Sequence, residues 1–226
     1  MINWDAIFNL ELAVKAFPSV IQGLPYTIGL SLVGFILGAI VGFFVALMKM
    51  SHFRLLRYLA NIHISLMRGI PLMVLLFLIY FGLPFIGIQL DAVTASIVGF
   101  TMMSSAYISE IIRAALLAVD HGQWEAARAL GLKTPTIYRG IIIPQATRIA
   151  LPSLSNVLLD MVKGSSLTAM ITVPDIFNNA KIVGGTYSDY MTAYILVALI
   201  YWVICTLYAI IQDWWKNDYF INKVVC

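Results

Sequence analysis

The sequence predicts an all-α integral membrane protein of five transmembrane helices with its N-terminus outside. Three observations predict it. Of 226 residues, 61% are hydrophobic and only 11% are charged, against about 45–50% and about 25% in a soluble domain. Long stretches carry no charged residue at all, and the basic residues gather in alternate connections between those stretches. The mean hydropathy of +0.91 agrees. A surface that faces water needs charges that this chain lacks. A water-soluble monomer, a disordered chain and a nucleic-acid-binding domain are therefore excluded, and residues 1–226 are expected to form a single membrane-embedded domain.

At the start, Ile7, Leu10, Val14 and Phe17 recur at helical spacing, with Asp5, Glu11 and Lys15 off that stripe. Residues 1–19 are thus expected to form an amphipathic helix on the outer interface. No basic leader precedes a short apolar core, so the segment does not read as a cleavable signal peptide. Residues 16–48, 69–90, 92–109 and 190–212 contain no Asp, Glu, Lys or Arg. The apolar pattern of the third run continues past Glu110 and Arg113 to Val119, and a fifth run, 146–172, holds Asp160 and Lys163. A helix needs about 20 apolar residues to cross the hydrocarbon core. Lipid admits only structures that satisfy their own backbone groups, and these runs are too uniformly apolar for alternating barrel strands. The expected spans are 20–48, 66–86, 92–118, 148–172 and 190–212.

Orientation follows from Lys and Arg. Lys49, Arg54, Arg57 and Arg68 lie between spans one and two. Arg113, Arg128, Lys133, Arg139 and Arg148 lie between spans three and four, and Lys216 and Lys223 follow span five. These are eleven of the fourteen basic residues, and all fall on one side, which is then the cytoplasmic one. Lys15, Lys181, Asp5, Glu11, Asp91, Asp175 and Asp189 fall on the other. The two cysteines, Cys205 in an apolar run and Cys226 at the end, make no disulfide framework. His52, His63 and His121 have no partners at metal-ligand spacing.

The longest cytoplasmic connection, about 120–144, carries the functional argument. Gln123 to Leu130 are good helix formers and Gly131 is a natural helix stop. Pro135 permits a second helical start and Pro144 a stop. Small residues at Ala126, Ala127 and Ala129 leave room for another surface, while Trp124 and Leu130 offer apolar anchors. The segment reads as a docking element for a soluble partner.

Glu125-Ala126-Ala127, then Gly131, Ile141 and Ile143-Pro144 at fixed spacing resemble the EAA loop of ABC importer permeases, with Ile143 where Leu is commoner. Ala106 to Ala115, Gly122 to Ala127, Pro144-Gln145-Ala146, Arg68 to Leu72 and Lys163 to Leu167 are similar to the polar amino-acid subfamily. The resemblance runs from about residue 20 to 215. It implies a bacterial cell-membrane permease with a five-helix core that pairs as a homodimer or heterodimer. It further implies an extracellular solute-binding protein and a separate ABC ATPase subunit that uses ATP and Mg; this chain has no Gly-x-x-x-x-Gly-Lys loop and is expected to bind no cofactor and no metal. The coupling helix would lie near Gly122 to Thr134, with Glu125 bracing the loop and Gly131 allowing the turn. Tyr80 to Pro84, Gly87 to Asp91 and Leu151 to Asn156 look most like cystine permeases.

Polar residues inside the spans mark packing or a solute pathway. Asp160 and Lys163, three apart, fit an internal ion pair. With Asn156, Ser165 and Ser166 they equally fit a helix face lining the pathway, and Gly164 and the serines also suit close helix packing. In span three, Ser104, Ser105, Tyr107 and Ser109 suit either neighbouring helices or a polar solute. Arg68 suits an interfacial anchor. Two other function classes fit the sequence less well. An intramembrane enzyme needs a nucleophile–base or metal arrangement, and His63 with Ser65 lacks a third member. A stand-alone secondary carrier or channel often shows two related halves, and no internal repeat is evident.

Overall fold

A computed structural model describes residues 7–221, with side chains described up to residue 214. Asp5, Lys223 and Cys226 lie outside the described residues, as does the side chain of Lys216. The described residues are all-helical: α1 (Leu10–Ile21), α2 (Leu24–Met50), α3 (Arg54–Gly69), α4 (Leu72–Phe77), α5 (Ala92–Leu117), α6 (His121–Ala129), α7 (Thr134–Ile137), α8 (Ile143–Gly164), α9 (Ile176–Tyr187) and α10 (Tyr190–Ile221). A π-helical turn and a short 3-10 helix extend α4 to Ile86, a π-helical turn joins α7 to α8, and a 3-10 helix carries α8 on to Ile171. Three helices are long and apolar enough to cross a membrane, and five crossings result if Arg54–Gly69 with Leu72–Ile86 and Thr134–Ile171 with Ile176–Tyr187 each count as one. Leu199, Trp202, Val203, Leu207, Ile210, Ile211 and Trp214 of α10 are exposed, an outward apolar face that suits lipid rather than water.

Three expected boundaries differ. The second span, expected over 66–86, is broken. Pro71 fixes its own φ and holds Ile70 extended at φ −89, ψ 129, so a helix cannot run through. Residues 54–65, expected as a loop, are helical. The fourth span starts earlier than residue 148, and Pro144, expected to stop a helix, follows directly on the π-helical turn Tyr138–Ile142, where Ile143 N donates to Tyr138 O and the altered pairing accommodates a residue without an N–H.

Contacts divide the chain into two compact units. One comprises residues up to Gly34, Pro71–Phe100 and Leu159 onward; the other comprises Phe35–Ile70 and Thr101–Leu158. In the first unit, Ala16, Val20, Ile176, Ala180, Val183, Ala193, Leu196, Val197 and Ile200 form a buried cluster that joins α1, α9 and α10. Asn9 caps α1 by accepting from Leu12 N, and its own amide donates to Thr192 Oγ1 at 3.0 Å. Asn179 Nδ2 donates to Ser19 O at 3.1 Å. The expected interfacial stripe on the first helix is therefore not its buried face. Ala13, Ala16 and Val20 pack inward, and Leu10, Val14 and Phe17 stay exposed, because helix-to-helix approach favours the small side chains.

The second unit has its own cluster of Ala115, Val119, Ala127, Ile137, Ile142, Ala146 and Ala150. Here α2 meets α5 through glycine. A Cβ at Gly38 would overlap Ser104 Oγ, and one at Gly42 would sit 2.8 Å from Ser105 O. His63 Nε2 of α3 is 2.8 Å from Ser105 Oγ.

Candidate functional site

The segment between α5 and α8 turns Val119, Ala127, Ile137 and Ile142 into the cluster of the second unit. Asp120 starts α6 by accepting from Gly122 N at 2.7 Å, a cap that the sequence reading assigned to no residue although Asp is a preferred N-cap. Gly131 ends it with φ +72. Its amide donates to Arg128 O at 2.9 Å and Leu132 N donates to Ala127 O at 3.2 Å, the reversal for which a left-handed glycine is suited. Ala127 is 2% exposed and inserts into the cluster of the second unit. Ala126, Ala129 and Leu130 face outward.

Aromatic contacts support the rest of this segment. The Trp124 and Tyr138 rings meet edge to face at 5.0 Å, and Arg128 lies 5.9 Å from the Trp124 ring centre. Beside them is a cavity of about 350 Å³ whose walls include Met50, Leu116, His121, Trp124, Arg128 and Tyr138. Glu125 does not brace the loop. Its carboxylate lies 3.4 Å from His121 Nδ1 one turn back in the same helix, and 74% of its side chain is exposed. An exposed pair of that kind adds little stability, so the acid is free to meet a partner.

The polar residues expected to line a pathway separate on inspection. Tyr107 is exposed on α5, with the Arg68 guanidinium 5.6 Å from its ring centre; Arg68 is thus more than an interfacial anchor. Ser104 is buried, held against Gly38 and bonded to Thr101 O. Asn156 is exposed. Lys163 Nζ lies 3.4 Å from Asp160 Oδ1, with 54% and 75% of the two side chains exposed. Ser165 departs from the expectation that it faces solute. It is fully buried, donates to Val162 O and lies 3.2 Å from the Tyr201 hydroxyl of α10. Ser166, half-buried, donates to Lys163 O.

A charged cluster joins Lys49 of α2 to Glu110 and Arg113 of α5. Glu110 Oε1 accepts from Lys49 Nζ at 2.6 Å and Oε2 from Arg113 Nη2 at 3.0 Å. The spacing of Glu110 and Arg113 signals half of it; Lys49, 61 residues away, carried no sequence signal.

Known proteins resemble this chain over nearly all its length. Residues 34–218 match the family model described as the binding-protein-dependent transport system inner membrane component. A probable amino-acid ABC transporter permease of Bacillus subtilis (strain 168), YckA, is 53% identical over 218 residues, covering 96% of each chain. The L-cystine transport system permease TcyB of the same organism is 38% identical over 213 residues, 93% of this chain and 88% of its own. Among solved structures, the crystal structure of an amino acid ABC transporter with histidines superposes with a TM-score of 0.87 at 38% identity, covering 91% of this chain and 96% of that one.

Proposed function

The chain belongs to the family of binding-protein-dependent transport system inner membrane components, and on that premise we propose that it is the membrane-spanning permease of an ATP-driven importer of a polar amino acid, with cystine first among the solutes. The observation that carries the reading is the outward helix α6. It is held from beneath by Ala127, closed by Gly131, and offers Gly122, Glu125 and Ala126 to a partner, with Pro144 opening the span that follows. Small outward side chains let another surface approach closely, and Leu130, 78% exposed, supplies an apolar anchor.

In this reading α6 lies on the cytoplasmic side and docks an ABC ATPase that hydrolyses Mg-ATP. A second permease copy, identical or related, completes the membrane unit, and an extracellular binding protein delivers the solute. The solute passes Tyr107 of α5 and Asn156, Asp160 and Lys163 of α8; Ser104, Ser165 and Ser166 support those helices from within. The cystine assignment draws on the likeness to the L-cystine permease at 38% identity.

The test is purification and transport. The chain is expected to co-purify with an ATPase subunit, and vesicles holding that complex, loaded with ATP, should take up labelled L-cystine only when the binding protein is added. Uptake by the chain alone would overturn the reading in favour of a carrier.

A further inference from the structure

The surface of α3 divides into three faces, since residues three and four apart share one side of a helix. Ala60, Ile64 and Met67 turn inward and are buried, and beside them His63 Nε2 meets Ser105 Oγ of α5. Leu55, Leu59, Ile62 and Leu66 form an apolar stripe outside the fold. Arg54, Arg57, Asn61 and Ser65 form a polar stripe that is also exposed. Tyr58 stands exposed at the border of the two outward stripes, and Phe53, just ahead of the helix, is exposed as well. The charge around them has one sign. No Asp or Glu occurs between Glu11 and Asp91. Glu110 is spent on Lys49 and Arg113. Arg54 and Arg57 have no carboxylate partner among the described residues.

We propose that the outward side of α3 is a binding site for an anionic phospholipid, with the phosphate between Arg54 and Arg57 and an acyl chain along Leu55, Leu59, Ile62 and Leu66. The proposal rests on the membrane setting of the family and on neither the solute nor the ATPase. A helix with arginines beside an apolar stripe belongs where headgroups meet acyl chains. Guanidinium groups bind phosphate through paired donors, and two that share one face reach the same headgroup. Each outward stripe excludes a different rival. An acidic soluble partner matches the arginines but leaves the leucines in water. Hydrocarbon alone matches the leucines but leaves two guanidinium groups without a counter-charge, which is costly. A second copy seated on the same face sets like charges against each other.

The test uses the full chain, purified in detergent with the subunits that accompany it and stripped of lipid. Phosphatidylglycerol and phosphatidylcholine with the same acyl chains are titrated, and bound lipid is counted by native mass spectrometry. A basic side chain beside an anionic lipid contributes about fivefold in binding, so wild type is expected to prefer phosphatidylglycerol at least fivefold. Arg54→Gln combined with Arg57→Gln is expected to lose that preference and to hold phosphatidylcholine as before, with the thermal midpoint in lipid-free detergent unchanged. Asn61→Glu keeps both arginines and places a carboxylate one turn after Arg57. It should lower phosphatidylglycerol binding at least fivefold, and it serves should the glutamine pair fail to insert. Lys133→Gln removes an exposed cation far along the chain and should match wild type. Equal affinity of wild type for the two lipids overturns the proposal, as does phosphatidylglycerol binding within twofold of wild type in whichever α3 variant assembles. An equal loss in Lys133→Gln means unspecific attraction and overturns it too. Glycerol 3-phosphate that displaces phosphatidylglycerol at equal concentration would assign the arginines to a soluble phosphate. Variants of α3 that lose the ATPase while keeping the lipid would assign them to a protein partner. Either result overturns the proposal and leaves the importer reading standing.

Discussion

The α6 segment and the α1–α9–α10 cluster are both made with small residues, and they use them in opposite directions. In the cluster, Ala13, Ala16, Ala180 and Ala193 all turn inward. Gly23 lies so close to the start of α9 that a Cβ would overlap the backbone of Asp175, and Gly184 receives Tyr190. In α6 only Ala127 turns inward, while Ala126 and Ala129 stay out. Small residues that face in are consumed by the fold, because they set how near two helices come. Small residues that face out set how near something else can come. Composition alone does not separate the two uses; direction does.

Substitutions break that comparison most severely where backbone lies behind the small residue. Gly23→Ala places its methyl group on the Asp175 carbonyl carbon and the Ile176 nitrogen, and neither can rotate away. Overpacking of well-packed sites costs about 1–3 kcal/mol, and an obstacle of backbone belongs at the upper end. The yield of folded protein and its thermal midpoint in detergent should both fall. Gly29, where a Cβ would meet nothing within 4 Å, is the control, and Gly29→Ala should match wild type. Equal loss in both variants would show that the contact at Gly23 is not what matters.

Next comes Gly131→Pro, which acts on coupling instead of folding. Proline fixes φ near −65°, whereas Gly131 adopts +72 and donates its amide to Arg128 O. The end of α6 must then reorganise. ATPase activity stimulated by loaded binding protein should drop at least tenfold, with co-purification of the ATPase weakened. Full stimulation with normal assembly would remove α6 from the coupling role.

These two glycines also show what was legible in the sequence. Gly131 could be read because its signal is local: a helix-forming run ends there, and a left-handed stop needs glycine. Gly23, Gly38 and Gly42 could not, since each matters through a residue far along the chain. The membrane class and the approximate positions of the apolar runs were legible because lipid imposes length and composition on each helix separately. The break at Ile70-Pro71 is present in the sequence as a proline, inside the apolar run that predicts a span over 66–86. The inward burial of Ser165 was hidden, because its partner Tyr201 is 36 residues away on another helix. The ion pair of Lys49 with Glu110 was hidden for the same reason.

Ala126→Leu and Ala127→Leu sharpen the comparison within a single turn of helix. The two are neighbours, with Ala127 2% exposed and Ala126 outward. Leucine at 127 enters a cluster with no room and should destabilise the permease by about 1–3 kcal/mol. Leucine at 126 should leave the thermal midpoint within about 0.5 kcal/mol of wild type, while co-purification of the ATPase falls severalfold. Destabilisation at 126 with normal docking would reverse the inward and outward assignments.

The smallest effect is expected at an exposed cap, where nothing is packed at all. Asp91 starts α5 by accepting from Val93 N and Thr94 N, each at 3.0 Å, and from the Thr94 hydroxyl. Hydrogen bonds from the Thr94 side chain and then its amide hold the Asp91 carboxyl below its ordinary value of 3.8. A carboxyl depressed in the folded state supports that state above its unfolded pKa, and the support is lost as pH falls through the folded one. The contribution is therefore complete at pH 7. Asp91→Asn keeps an acceptor but removes the charge that favours a helix N-terminus. Hydrogen exchange at the amide of Ala95, which donates to Asp91 O, should quicken a few-fold at pH 7 relative to wild type, with the global midpoint unmoved. As pH falls below the ordinary carboxylate range the wild-type carboxyl protonates, and the ratio of variant to wild-type exchange should shrink toward one. A ratio that stays constant from pH 7 until the wild-type carboxyl is fully protonated would mean that the charge of Asp91 does nothing for the helix, and that its side chain acts only as a neutral acceptor.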